Sequence, residues 1–159
     1  MCSLWGLSIW CVHGWSEVAS VFAVFGIVIA LWQIGQQSHT AKLTFENLFV
    51  AQYQQLIQRL PIKALLGDAL SDQERTEYLG ELYHYIDLCN TQAYHRRRKR
   101  ITAKTWQEWR EGIEANLRRK ELEDAWSYIA AKSPEEFMDL RTFVPPRPLD
   151  DNNPYKRMR

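Results

Sequence analysis

The first 41 residues of the chain contain no lysine and no arginine, and Glu17 is the one residue there with a formal charge. All twenty basic residues follow, from Lys42 onward. A cleaved secretory signal needs a basic start and small residues at its cleavage site. Instead, Leu31, Trp32 and Gln33 stand at the end of the apolar run. The sequence therefore predicts that this segment is not a cleaved signal.

Motifs of catalytic or cofactor chemistry are also missing. The sequence has no Walker A loop, no dinucleotide-binding glycine pattern and no serine or cysteine in a nucleophile motif. Its three cysteines lack metal-ligand spacing. Glu81 and His84 form half of the Glu-x-x-His pattern of di-iron bundles, without the second copy that such a site needs. We therefore predict no catalytic residue, no metal ligand and no cofactor, with acid–base chemistry by His84 and Asp87 as the disfavoured enzymatic alternative.

The longest uncharged stretch runs from Val18 to Ile34 and reads VASVFAVFGIVIALWQI. As a helix it would cover roughly 26 Å, close to the hydrocarbon thickness of about 30 Å. Trp15 and Trp32 stand where interfacial aromatic residues are expected. The pattern predicts a transmembrane helix over residues 15–37, with residues 1–14 in the outer interface.

The charge distribution also predicts an orientation. Basic residues stay on the cytoplasmic side of a membrane. Because all of them follow the predicted span, we expect the N-terminus outside and the C-terminal domain in the cytoplasm. The predicted location is the inner, cytoplasmic membrane, crossed once.

Small and then polar residues recur along the predicted span at alternating intervals of three and four. Helices associate in lipid through close backbone approach at small residues and through hydrogen bonds between polar ones. The sequence therefore predicts a self-associating face and a homo-oligomer. We call this set the small-residue stripe, and it comprises Ser16, Ala19, Ala23, Gly26, Ala30, Gln33 and Gln37.

Residues 38–144 show the apolar periodicity of helices and none of the alternation typical of strands. Capping boxes at Ser71 and Ser133, and an N-cap at Thr102, indicate the starts of three helices. Residues 145–159 are polar and contain proline, which predicts a flexible tail. The predicted fold class is all-α, with an N-terminal transmembrane helix followed by a cytoplasmic bundle of four to five helices. The first helix of this domain should face the core with Phe45, Leu48, Phe49, Tyr53, Leu56, Ile57 and Leu60.

Three polar residues, Asp87, Asn90 and Gln92, lie in a helix that is otherwise rich in aromatic residues. We interpret them as buried polar groups that fix helix packing. Cys89 beside them is interpreted as a small buried hydrophobic residue.

The densest charge is the run HRRRKR at residues 95–100, and residues 92–120 hold ten basic and three acidic side chains. Three interpretations stay open: a solvated end that complements the negative pole of the helix, a contact with anionic lipid, or a surface for nucleic acid. Membrane lipid or a protein partner is favoured over nucleic acid, and no small-molecule substrate is indicated. The predicted contact residues are Arg96, Arg97, Arg98, Lys99, Arg100 and Lys104.

Residues 78–117 combine an aromatic helix reading D-L-C-N, a basic turn, an I-T-x-x-T-W-x-x-W start and a G-I-x-x-N-L end. This combination resembles the cytoplasmic helical part of small bacterial single-pass membrane proteins of unknown function. The resemblance implies the same architecture and carries no catalytic motif. It is compatible with a role in stress response or phage defence, in which some small anchored proteins of this build are thought to act.

These patterns together favour a non-enzymatic, membrane-anchored adaptor or effector that self-associates and binds a protein partner. One alternative is an oligomeric membrane pore lined by the small-residue stripe, although intramembrane charges usually mark ion paths and the apolar stretch has none. The other alternative is a membrane-tethered nucleic-acid binder that uses residues 95–100.

Overall fold

A computed structural model of the chain describes the backbone of residues 6–158 and the side chains of residues 26–158. Within that range it is built of α-helices, one short 3-10 helix and connecting turns, without any strand. The prediction of an all-α fold is confirmed. The elements are α1 (Gly6–Ile57), α2 (Ile62–Leu66), α3 (Asp72–Arg97), α4 (Ala103–Leu117), α5 (Lys120–Lys132), α6 (Met138–Arg141) and the 3-10 helix Pro154–Arg157.

The chain divides into two compact units, residues 1–41 and residues 42–159. The side chains of residues 26–41 in the first unit are exposed. Six large apolar side chains there are each more than half exposed: Ile27, Val28, Ile29, Leu31, Trp32 and Ile34.

Among the described residues, no helix is long and apolar enough to cross a membrane. The transmembrane helix predicted over residues 15–37 lies partly outside that description, because the side chains of residues 15–25 are not described. The side chains of the predicted interfacial segment, residues 1–14, lie wholly outside it.

Helix α3 is the centre of the second unit, and α4, α5, α6 and the 3-10 helix all pack against it. Leu82, Ile86 and Cys89 recur at intervals of three and four, so they share one face of α3 and are at most 1% exposed. Burial of this face against the other helices supplies the main apolar stabilisation. The buried core comprises Leu60, Leu82, Tyr85, Ile86, Cys89, Ile113, Leu117, Leu122, Ala125, Trp126, Ile129, Ala130, Phe137, Leu140 and Tyr155.

Two predicted helix starts are confirmed. The backbone N–H of Ser71 donates to the Glu74 carboxylate at 2.8 Å, and the N–H of Glu74 donates to the Ser71 hydroxyl at 3.3 Å. Thr102 caps α4, since its hydroxyl oxygen accepts from the N–H of Thr105 at 3.3 Å. Both caps satisfy N–H groups that the first helical turn leaves without a partner.

The second predicted capping box, at Ser133, is wrong. Ser133 follows the end of α5 in a turn, and the next helix begins only at Met138. The guanidinium of Arg141 donates to the carbonyl oxygens of Ala130 at 2.8 Å and of Ser133 at 3.0 Å, which satisfies the end of α5. Phe137 then takes the left-handed conformation, with φ 59°, and its side chain is buried.

The prediction of a flexible tail over residues 145–159 is at odds with the structure of the residues that are described. Tyr155 is fully buried in the core and Asn153 is 4% exposed. The Asn153 side-chain amide donates to the carbonyl oxygen of Asp124 at 2.9 Å, and its amide oxygen accepts from the N–H of Tyr155 at 3.0 Å. Burial of the large Tyr155 ring offsets the entropy cost of ordering this segment.

The apolar stripe predicted after residue 38 is only partly buried. Phe49 and Leu60 are each 4% exposed, whereas Leu48 is 53% and Tyr53 37% exposed. Glu46 is 7% exposed and takes a buried position on the same helix. The predicted inward orientation of Leu48 is therefore wrong.

A buried ion pair ties α3 to α5. The Arg75 guanidinium donates to the Glu121 carboxylate at 2.8 and 3.1 Å, and the N–H of Leu70 donates to the same carboxylate at 3.1 Å. Burial raises the pKa of Glu121, but the interactions with Arg75, the Tyr155 hydroxyl and the Leu70 backbone together outweigh burial, so the net pKa is lowered. The carboxylate is thus held ionised inside the unit.

Candidate functional site

A pocket of about 240 Å³ opens in the second unit between residues 49–53 of α1, α3 and α4. Four aromatic side chains line it, namely Phe49, Tyr53, Tyr85 and Trp109. The Phe49 and Trp109 ring centroids lie 5.9 Å apart at 71°, and those of Tyr53 and Tyr85 lie 6.4 Å apart at 52°. We call this the aromatic pocket.

A few polar groups also line the aromatic pocket. The Asn116 side-chain amide donates to the Tyr85 hydroxyl at 3.0 Å. Gln92 also lines the pocket and is 6% exposed. Glu108 is the one charged residue of the lining, and its exposed carboxylate has no ion pair within the described part of the chain.

The ionisable groups in the pocket wall are poorly suited to catalysis. Complete burial raises the pKa of the Cys89 thiol to about 12, so the thiolate that would act as a nucleophile is not formed at neutral pH. Burial likewise raises the pKa of Tyr85 well above its usual value. An apolar pocket with a few polar groups and no activated nucleophile is typical of a binding site.

We call residues 96–100 together with Lys104 the basic turn. Two of its cations form hydrogen bonds within the second unit. The Arg96 guanidinium donates to the carbonyl oxygen of Ile101 at 3.0 Å. Arg97 pairs with Asp139 through two hydrogen bonds, of 2.6 and 3.2 Å.

The remaining cations of the basic turn have no carboxylate partner among the described residues. Arg98 lies over the Tyr94 ring, with its guanidinium carbon 5.4 Å from the ring centroid. Lys99, Arg100 and Lys104 are exposed. The predicted contact residues are therefore brought together, and most of their charge is available to a partner.

Residues 45–49 of α1 hold the basic turn in place. The Glu46 carboxylate accepts from the N–H of Thr102 at 2.7 Å and from the Thr105 hydroxyl at 2.8 Å. The Phe45 ring packs against His95 at 4.8 Å between centroids. Partial burial and the neighbouring Arg100 lower the pKa of His95, so His95 adds no charge to the turn at neutral pH.

Glu46 was not among the residues predicted from the sequence. A signal existed, because Glu46 lies three residues before Phe49 and residues at that spacing share a helix face. An acidic residue on a core-facing stripe needs a polar partner, and the capped start of α4 supplies one.

The small-residue stripe is described only in its second half. Gly26, Ala30, Gln33 and Gln37 are exposed, and a Cβ added to Gly26 would meet no atom within 4 Å. The side chains of Ser16, Ala19 and Ala23 lie outside the described residues. Self-association through this face stays a prediction.

His84 and Asp87 line an open polar cleft of about 350 Å³, together with Arg59 and Thr91. Neither His84 nor Asp87 forms a hydrogen bond with a described residue, so no positioned acid–base pair is formed. Asp87 is exposed, so its predicted burial is wrong.

The other two polar residues of α3 follow the prediction more closely. Asn90 fixes helix packing, since its side-chain oxygen accepts from the N–H of Leu140 at 3.0 Å. Gln92 and Cys89 are buried as predicted. The described residues contain no group of three or more histidine, cysteine, aspartate or glutamate side chains that could hold a metal ion.

Comparison with protein-family models, with curated proteins and with solved structures finds no match to this chain. The resemblance of residues 78–117 to small bacterial membrane proteins stays a prediction. The exposed apolar segment, the basic turn and the aromatic pocket are the features on which a functional proposal rests.

Proposed function

We propose that this protein is a non-enzymatic, membrane-anchored adaptor or effector that self-associates and binds a protein partner. The exposed apolar surface of residues 27–34 carries this proposal. Ile27, Val28 and Ile29 are successive and therefore point in different directions around the helix axis, and each is more than half exposed. A helix that is apolar on all sides is normally covered by lipid or by other helices.

The basic turn supports a contact at the inner leaflet. Glu46 contacts Thr102 and Phe45 contacts His95, so both hold residues that flank the basic turn. Both are among the first residues of the second unit after the apolar segment in sequence. Basic clusters next to a membrane attract anionic lipid by about 1 kcal/mol per charge. We therefore propose an outside N-terminus, a cytoplasmic second unit and a basic turn that contacts anionic headgroups or a partner docked there. A role in stress response or phage defence would fit this architecture.

Two arginine substitutions in α1 test the anchor. Ile29 and Leu48 are both 53% exposed, but only Ile29 lies in the proposed span. Arginine at the centre of a membrane helix costs about 2.5–3.5 kcal/mol on insertion scales. Wild type and Leu48→Arg should stay in the membrane fraction through a carbonate wash, whereas Ile29→Arg should be released in large part. Equal behaviour of the two variants, or a wild type found free of membranes, would contradict the anchor.

A pair of glycine substitutions tests self-association. Gly26 belongs to the small-residue stripe and Gly35 does not, and a Cβ at either position would meet no described atom within 4 Å. Light scattering of the detergent-solubilised chain should give an oligomer for wild type and Gly35→Leu, and a monomer for Gly26→Leu. A Gly26→Leu mass equal to that of wild type would remove the stripe as the contact.

Photo-cross-linking in cells tests the partner contact. A photoreactive residue in place of Lys104 should form specific adducts with lipid or protein, and one in place of the distant, exposed Lys132 should not. Adducts from Lys104 that vanish with Arg98→Glu would link the contact to the charge of the basic turn. Identical adducts from both positions would contradict a localised contact.

A further inference from the structure

We infer that the aromatic pocket binds a small organic ammonium cation, with an apolar body that fits among the rings of Phe49, Tyr53, Tyr85 and Trp109. This ligand site goes beyond the adaptor function proposed above, and the sequence alone indicated no small molecule. The inference combines the aromatic lining, the unpaired carboxylate of Glu108 and the amide of Gln92.

The size and walls of the pocket suit such a ligand. A liquid water molecule takes about 30 Å³, so a pocket of about 240 Å³ has room for a compact group such as choline. Aromatic faces carry negative electrostatic potential and attract ammonium groups, the more so where water is excluded. Phe49 and Tyr85 are 4% and 2% exposed, and Tyr53 at 37% leaves one side open for entry.

The charge of the lining favours a cation over other ligands. Glu108 is its one charged residue, and no described residue neutralises the Glu108 carboxylate. An anion would be repelled by this carboxylate, and the lining offers it no cationic side chain. A cation is attracted by the carboxylate and, where it lies over a ring, by the ring quadrupole as well.

The side chain of Gln92 allows the ligand to carry a polar group as well. Gln92 lines the pocket and is 6% exposed. A side-chain amide both donates and accepts hydrogen bonds. A ligand that carries an N–H or O–H beside its cationic centre can donate to the amide oxygen of Gln92, whereas a purely apolar ligand cannot.

Calorimetric titration of the full chain in a non-ionic, choline-free detergent tests the inference. The probes are choline and 3,3-dimethylbutan-1-ol, which has the same shape with a neutral carbon in place of the nitrogen. Choline should bind saturably and at least about tenfold more tightly than the neutral alcohol. Equal affinity for the two probes, or no saturable binding of choline at millimolar concentration, would overturn the proposal.

Variants localise the binding. Glu108→Gln should weaken choline binding about threefold or more, whereas Glu111→Gln, on the same helix and outside the pocket lining, should change it less than twofold. Trp109→Leu should weaken it about tenfold. Thermal unfolding of each variant checks folding, and the exposed Glu108 side chain makes its variant informative even if Trp109→Leu fails to fold. Equal losses in Glu108→Gln and Glu111→Gln would overturn the assignment.

Two further measurements identify the source of the cation and test this inference independently of the proposed membrane anchor. A short-chain phosphatidylcholine that competes with choline would identify a lipid headgroup as a natural source, and a failure to compete would identify the free cation. Ile29→Arg should bind choline with wild-type affinity in detergent. Loss of anchoring with retained binding, or the reverse, distinguishes failure of one proposal from failure of the other.

Discussion

Replacing Glu121 by alanine should destabilise the second unit by about 3–5 kcal/mol. Glu121 is 1% exposed and accepts three hydrogen bonds, two from Arg75 and one from the backbone of Leu70. The substitution removes the main counter-charge of Arg75, whose side chain is only 11% exposed. Asp72 still accepts a hydrogen bond from the Arg75 guanidinium at 2.9 Å. Breaking a buried pair from one side costs this much because the surviving charge stays desolvated.

Urea unfolding of the full chain in non-ionic detergent measures the effect. Trp126 is 1% exposed, so near-ultraviolet circular dichroism should follow loss of packing in the second unit. The midpoint should fall with little change in slope, because the exposed area on unfolding is nearly unchanged.

A matched control lies two residues away on α5. Glu123 pairs at 2.5 Å with Arg147, whose side chain is 56% exposed, so Glu123→Ala should cost at most about 1 kcal/mol. Joint replacement of Arg75 by methionine and Glu121 by leucine should recover much of the loss, because neither charge then remains buried. The reasoning is refuted if Glu121→Ala costs no more than Glu123→Ala.

Three further predictions concern single groups. The hydrogen bond from the N–H of Ser71 is the largest of several interactions that lower the pKa of Glu74 from 4.5 to about 2. This stabilisation is present above pH 4.5 and is lost as pH falls towards 2, so the protection factors of the amides at the start of α3, which correct for the pH dependence of intrinsic exchange, should fall there. Tyr155→Ala should cost about 3–5 kcal/mol in urea unfolding, whereas Tyr155→Phe should cost less, because it keeps the ring and removes only the hydroxyl beside the Glu121 carboxylate. Glu46→Ala should cost about 1–3 kcal/mol by the same assay, since the N–H of Thr102 loses its acceptor.

Each of these has a contrary outcome. Protection factors at the start of α3 that stay constant between pH 5 and about 2 would deny the role of the Glu74 carboxylate. A loss for Tyr155→Phe as large as for Tyr155→Ala would show that the hydroxyl, not the ring, holds the segment. The exposed Glu77 is the control for Glu46, and equal losses on alanine substitution would contradict the link to α4.

Helix starts were predictable where their signals are local. Ser71 and Thr102 cap their helices through groups three residues away, so the sequence contains the whole interaction. Ser133 carries the same local pattern, but Arg141, eight residues on, satisfies the Ser133 carbonyl instead. Contacts formed in the folded chain therefore prevented a helix start at Ser133 that the sequence pattern predicts as strongly as those at Ser71 and Thr102.

Features that depend on distant partners were not predictable. Arg75 and Glu121 are 46 residues apart in sequence. The residues that flank each of them in sequence do not distinguish it from a solvent-exposed helix residue. The aromatic pocket is a similar case, because Phe49 was predicted only to face the core. A cavity is a volume that the packed side chains leave unfilled. The spacing of apolar residues in the sequence does not reveal where such a volume forms.

The backbone and the side chain of Phe137 favour different residues at this position, so few substitutions should be tolerated there. Its left-handed backbone, φ 59° and ψ 30°, favours glycine or asparagine, while its ring makes edge contacts with Tyr83 at 5.5 Å and Trp126 at 5.7 Å. Glycine would relax the backbone and open a cavity, and asparagine would bury an amide, so a saturation screen should accept few residues here. Lys99 has the same backbone, with φ 58°, but an exposed side chain, and should accept glycine or asparagine freely.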